Sequence, residues 1–134
     1  MKSKLVLICA ITAMLLCLVA CVPSPQEIAV DASYSGKKVE LGVGGLLIVT
    51  LESNPASTGF QWELAEISDE TVLQRVDQRY EPPEDGDMVG APGKDIWTFK
   101  ALKKGESSIS MEYSQPWEGG TKAAETFELT VLVR

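Results

Sequence analysis

Between residues 38 and 134 the apolar positions recur mostly at every second residue, the period of a strand with one buried face. Residues 38–41 read as a short strand turned by Gly42, Val43, Gly44 and Gly45. Residues 46–51 (Leu-Leu-Ile-Val-Thr-Leu) form a continuous apolar run, expected to be buried on both faces. Phe60, Trp62 and Leu64 then alternate with Gln61 and Glu63, and Trp97, Phe99 and Ala101 with Thr98 and Lys100. Ile109, Met111 and Tyr113 alternate with Ser108, Ser110 and Glu112, and Phe127, Leu129, Val131 and Val133 lie opposite Glu128 and Thr130. Residues 71–80 admit two readings. Val72, Leu73 and Val76 suit a short helix, whereas Val72-Leu73 and Val76 to Tyr80 suit a strand with a bulge.

About seven strands with Gly, Pro, Asn and Asp punctuation, and no long helix, predict an all-β fold. The expected architecture is a single-domain, immunoglobulin-like β-sandwich over residues 36–134. Trp62, Trp97, Phe99, Tyr113 and Phe127 are expected between the sheets. Lys103-Lys104-Gly105 and Gly119-Gly120 mark hairpin ends.

The first segment has a different pattern. Lys2 and Lys4 precede an uncharged apolar run over residues 5–20, shorter than the roughly 20 apolar residues of a spanning helix. It ends in Leu18-Val19-Ala20-Cys21, which resembles a bacterial lipobox. Residues 1–20 are thus expected to be a lipoprotein signal peptide, Cys21 the lipidated residue, and 21–35 a tether. The expected location is outside the cytoplasm, held to an envelope membrane through the lipid on Cys21. Cys9, Cys17 and Cys21 are the three cysteines, so no disulfide is available beyond the lipobox and the domain must be held by its core.

Charge and chemistry narrow the function. The net charge is −7, and removing Lys2 and Lys4 with the leader takes it to −9, which disfavours nucleic acid as a partner. The chain has no histidine, which removes Ser-His-Asp and Cys-His catalysis, and no thiol set for zinc. Glu81, Glu84, Asp85 and Asp87 surround Pro82-Pro83 without the alternating spacing of a calcium loop, so they read as a solvated charge run. No metal, cofactor or enzymatic activity is expected, and a monomer is.

Three loops remain. In the first, Asn54 and Pro55 start a turn, Ser57 and Thr58 give small hydroxyls at the tip, and Gly59 permits positive φ ahead of Phe60. The second, Gly90-Ala91-Pro92-Gly93, allows close backbone approach but is weak alone. The third is Gln115-Pro116-Trp117-Glu118. Two readings of Trp117 stand from this loop alone: an exposed contact residue, or a lid folded over the sandwich end.

In order and spacing these segments resemble the chagasin-like cysteine protease inhibitors. The family's N-P-T-T-G-Y/F loop, with tryptophan two residues beyond the aromatic, is matched by Asn54 to Phe60 and Trp62. Its glycine-rich loop, F-x-A strand end and K-x-G turn are matched by Gly90 to Gly93, Phe99-Lys100-Ala101 and Lys103-Lys104-Gly105. Its R-P-W-E loop after a tyrosine is matched by Tyr113 and Gln115 to Glu118. Two departures stand out. Ala56 makes the first loop one residue longer, and Gln115 replaces an arginine, removing a charge and a guanidinium fork.

The resemblance implies a reversible, non-covalent inhibitor of papain-like cysteine proteases. Asn54, Pro55, Ser57, Thr58, Gly59 and Phe60 would occupy the catalytic cleft. Gly90, Ala91, Pro92 and Gly93 would flank it on one side, and Gln115, Pro116 and Trp117 on the other. The alternative is an envelope lipoprotein whose sandwich serves adhesion or ligand capture.

Overall fold

Alternating burial builds two facing four-stranded sheets in the computed structural model, which describes residues 24–84 and 90–134. The leader over residues 1–20, the lipidation candidate Cys21, and Asp85, Asp87, Met88 and Val89 lie outside the described residues. In chain order the strands are β1 (Glu27–Val30), β2 (Lys37–Leu41), β3 (Leu46–Ser53), β4 (Gln61–Ile67), β5 (Leu73–Glu81), β6 (Gly93–Ala101), β7 (Gly105–Ser114) and β8 (Glu125–Val133). A 3-10 turn spans Ala32–Tyr34, and a single helical turn, α1, spans Pro55–Thr58. One sheet has the order β1-β3-β6-β5 and the other β2-β8-β7-β4. This is an immunoglobulin-like β-sandwich.

The eighth strand is β1, which falls within the stretch expected to be a tether. It pairs in parallel with β3, setting Ile28 beside Leu47 and Val30 beside Val49. Only two inward apolar residues carry it, too few for a periodic signal, and its order comes from the neighbouring strand. The expectation for β3 is also corrected. Leu47, Val49 and Leu51 are buried, but Leu46, Ile48 and Thr50 are only half-buried because no further layer among the described residues covers the outer face of that sheet. Residues 73–81 form a strand, and its register shifts between Arg75 and Asp77, leaving Val76 as an exposed bulge. On an edge strand such a bulge hinders pairing with another chain.

Phe99 and Phe127, facing from opposite sheets, are the largest fully buried side chains, with Leu47, Leu51, Ile109 and Met111 around them. Trp62 joins the layers through polar bonds as well. Its Nε1 donates to the Glu52 carbonyl of the other sheet (2.9 Å), and its backbone N–H points at Asp95 Oδ2 (3.4 Å). The buried Asp95 carboxylate also accepts from Gln78 Nε2 at 3.0 Å, so its place between the sheets is fixed from two strands.

Register decides where the loops go. Ser53 pairs with Gly93, Glu81 with Lys94, Gln61 with Ser114 and Tyr113 with Glu125, so all three candidate loops emerge at one pole. The opposite pole carries the turns at 42–45 and 102–104 and the start of β1. Replacing Phe99 by Ala should lower unfolding stability by about 3–5 kcal/mol, because the cavity adds to the lost transfer energy. Equilibrium urea unfolding checks this, and a loss under about 1 kcal/mol would mean that the core collapses around the site.

Candidate functional site

The loop-end ridge is built from Asn54 outward. The backbone N–H of Asn54 donates to the Tyr113 hydroxyl (2.9 Å), its side-chain Nδ2 donates to the Gly90 carbonyl (2.7 Å), and its own carbonyl accepts from Thr58. One residue therefore ties the first loop to β7 below and to the second loop beside it. Pro55 sits at the start of α1, where a missing N–H costs nothing. The turn closes through Thr58 N–H to Asn54 (3.1 Å) and Gly59 N–H to Pro55 (2.9 Å), and Gly59 ends it with φ of 73°. The tip expected as an open loop is thus a hydrogen-bonded helical turn, with Ala56, Ser57 and Thr58 exposed.

Tyr113 supports this turn from below. Its ring stacks on Phe60 with centroids 5.4 Å apart and tilts against Trp62 at 5.1 Å, while its hydroxyl meets Asn54. The sequence places Tyr113 among the core residues; it is half-buried and serves as the strut between core and ridge. Thr58 adds a local brace, its hydroxyl donating to the Asn54 carbonyl (2.7 Å) and accepting from Phe60 N–H (3.1 Å).

The third loop is fixed to the first by Gln115. Its Nε2 donates to the Thr58 carbonyl (3.3 Å) and its Oε1 accepts from Thr121 N–H (2.9 Å). The residue that replaces the family's arginine therefore works inside the protein, as a staple between loops. Lys122, which sequence reasoning passed over, closes the same loop by donating to the carbonyls of Gln115 and Trp117. Trp117 is 50% exposed and leans on Gly59, where an added Cβ would collide with the indole. It is neither a lid over the core nor free in solvent. Packed on Gly59, the residue keeps half of its surface open to solvent.

Twelve of the thirteen candidate residues lie along this ridge. The thirteenth, Gly93, is buried at the start of β6 beneath Tyr80 and Glu81, where its lack of a side chain admits the close approach of β5. In the second loop, Gly90 has φ of 88°, Ala91 is half-buried and Pro92 is exposed. Residues 54–60 contain no ionisable side chain. A ridge with an uncharged centre can enter a narrow cleft without desolvating a charge.

An immunoglobulin-like sandwich with three interlocked loops at one pole defines a binding protein. Residues 40–131 match the chagasin family peptidase inhibitor I42, and the chain belongs to that family. Amoebiasin-2 of Entamoeba histolytica is 31% identical over 96 residues, which cover 72% of this chain and 76% of the relative. Three solved structures share the fold. A cysteine protease inhibitor from Entamoeba histolytica has a TM-score of 0.69 at 22% identity, with 84% of this chain and 99% of that one covered. The solution structure of Amebosin has a TM-score of 0.63 at 21% identity, covering 83% of this chain and 100% of that one. PbICP-C, solved in complex with falcipain-2, has a TM-score of 0.53 at 24% identity, covering 83% and 93%. The protein is an inhibitor by family, not an enzyme.

Two substitutions test the construction. Tyr113→Phe leaves the Asn54 N–H without its acceptor and should cost about 1–3 kcal/mol in urea unfolding. The Asn54 amide should also lose hydrogen-exchange protection, and unchanged protection would mean the strut is dispensable. Gly59→Ala should displace the indole, read as a shifted Trp117 Nε1 signal in a ¹H–¹⁵N spectrum, while Trp62 and Trp97 keep theirs.

Proposed function

We propose that this protein inhibits papain-like cysteine proteases reversibly by seating its loop ridge in the active-site cleft. The observation that carries this is the bonded ridge itself: Asn54 joined to Gly90, and Thr58 joined to Gln115, make three loops one preformed surface. Ordering has been accomplished in the fold, so little conformational entropy remains to be lost on binding. The family assignment supplies the inhibitory role, and the relative PbICP-C, captured with falcipain-2, supplies the class of target.

The geometry also accounts for inhibition without cleavage. The tip peptide bonds lie in a turn closed by Thr58 and Gly59 N–H groups, and proteolysis of such a segment has to wait for it to open. Ala56, Ser57 and Thr58 would lie over the catalytic cysteine. Gly90 to Pro92 would line one wall, and Pro116 and Trp117 the other. Gln115 has both ends of its amide engaged, so the grip on the enzyme falls to Trp117 rather than to a charge at position 115.

The second part of the proposal concerns location. The leader and Cys21 support a lipid-anchored envelope protein, and β1 leaves the domain at the pole opposite the ridge. An anchor at Cys21 would therefore leave the loops pointing away from the membrane. Mass spectrometry of the Cys21 peptide from an envelope fraction tests the anchor directly.

For the inhibitory reading, residues 22–134 are titrated into papain and a cathepsin-L-like enzyme with a fluorogenic substrate. Competitive, reversible inhibition at nanomolar to low micromolar concentration is expected, with none at high micromolar concentration overturning the proposal. Trp117→Ala should weaken inhibition by about 2–4 kcal/mol, or roughly 30- to 700-fold, the range of an interface hot spot. An unchanged inhibition constant would take Trp117 out of the interface.

A further inference from the structure

We propose that the pole opposite the ridge is a membrane-contact surface, with Val43 and Leu102 as apolar tips and Lys103 and Lys104 as a basic rim. The inference rests on the lipid-anchor reading above and adds to it a face of the domain that meets the bilayer.

Val43 is 51% exposed and Leu102 40%, and neither belongs to the core cluster. They sit on adjoining turns. Gly44 N–H donates to the Ala101 carbonyl (2.8 Å), Ala101 N–H donates to Gly45 (2.9 Å), and Val43 N–H donates to Arg134 (3.2 Å). The turn that presents Val43 is also bonded to the residue at which the N-terminal segment joins the fold. Gln26 accepts from Gly42 N–H through Oε1 (2.9 Å) and from Leu46 N–H through its carbonyl (2.8 Å). The apolar tips and the exit toward Cys21 thus share one pole.

Chain length then sets the reach. Six residue steps separate Cys21 from Glu27, a span of at most roughly 20 Å when fully extended. A bilayer holding an acyl chain on Cys21 therefore cannot lie far from this pole. Two aliphatic tips would not hold a free domain on a membrane. A tether this short raises their effective concentration at the surface to the millimolar range, where weak contacts are populated.

Acids at this pole are partly paired, in a domain that is acidic as a whole. Glu40 is bridged by Arg134 (3.1 Å) and Glu106 by Lys38 (2.8 Å). The Asp69 carboxyl is held below its usual range by hydrogen bonds from the Thr71 hydroxyl and N–H, with Lys103 contributing. Glu27 and Glu70 are exposed there outside any ion pair among the described residues, as are Lys103 and Lys104, so with Asp69 the pole keeps an acidic excess of about one charge. Lysines beside apolar tips suit the headgroup layer.

The test uses residues 21–134, since every strand and core side chain among the described residues lies between Glu27 and Val133. Cys21, the remaining thiol, is coupled to a maleimide-headgroup lipid in nanodiscs of phosphatidylethanolamine and phosphatidylglycerol carrying a little nitroxide-headgroup lipid. The expected result is amide signals at 43–44 and 102–104 attenuated several-fold more than those at 56–58 and 118–120. A Val43→Asp/Leu102→Asp double variant should reduce that contrast several-fold, to what the tether alone imposes, while inhibiting papain as before. Equal attenuation at both poles, strongest attenuation on another face, or contrast unchanged in the double variant would overturn the proposal. So would the same residues responding to a second copy of the uncoupled domain without lipid. Coupling is chemical, so the outcome is independent of natural lipidation, which the Cys21 peptide mass decides separately.

Discussion

Asn54 is engaged through its backbone N–H, its carbonyl and its side chain. The N–H goes down to Tyr113, the carbonyl accepts from the turn it starts, and the carboxamide crosses to Gly90. Loops at the end of a sandwich are ordinarily independent, because the sheets fix their bases and nothing fixes their tips. Here the tips are joined, and the join continues from Thr58 to Gln115 in the third loop. Order along the loop ridge follows from this chain of bonds. Without it the three loops would be tied only at their bases.

The join depends in turn on the aromatic column beneath it. Phe60, Tyr113 and Trp62 stack from the rim to the core, and Trp62 is bonded across to Glu52 and Asp95 of the other sheet. Rigidity is thus transmitted from the interface between the sheets to the loop tip through packed rings and two polar bonds. That path explains how a domain without disulfides can hold a preformed site. It also gives the two poles distinct roles: the ridge is polar, uncharged at its centre and backed by an exposed indole, while the far pole carries the chain's entry and two apolar tips.

Much of this is legible in the residues. Alternation marks β4, β6, β7 and β8 with their buried faces, and the bulge in β5 is one of the two readings that residues 71–80 permit. The motifs Asn54 to Phe60 and Gln115 to Glu118 point to the pole where the three loops meet. The misses have specific causes. β1 has two inward apolar residues, and its strand geometry is imposed by the edge of β3. The outer face of β3 is apolar in sequence yet half-open, because composition does not say whether a second layer covers it. Gln115 looks in sequence like a lost cation and is in the fold an internal staple.

Local chemistry therefore determined the class of fold, the loops that matter and the family, since each depends on periods and spacings of a few residues. Tertiary structure alone decided that the loops form one body. Asn54 and Gly90 are 36 residues apart in the chain, Asn54 and Tyr113 are 59, and Thr58 and Gln115 are 57. No local preference encodes those bonds. They exist because the register of β3 on β6, and of β4 on β7, brings three distant turns to one pole at hydrogen-bonding distance. The same register sends the start of β1 to the opposite pole, so the separation of the loops from the chain's N-terminal segment is a property of the folded sandwich rather than of any segment within it.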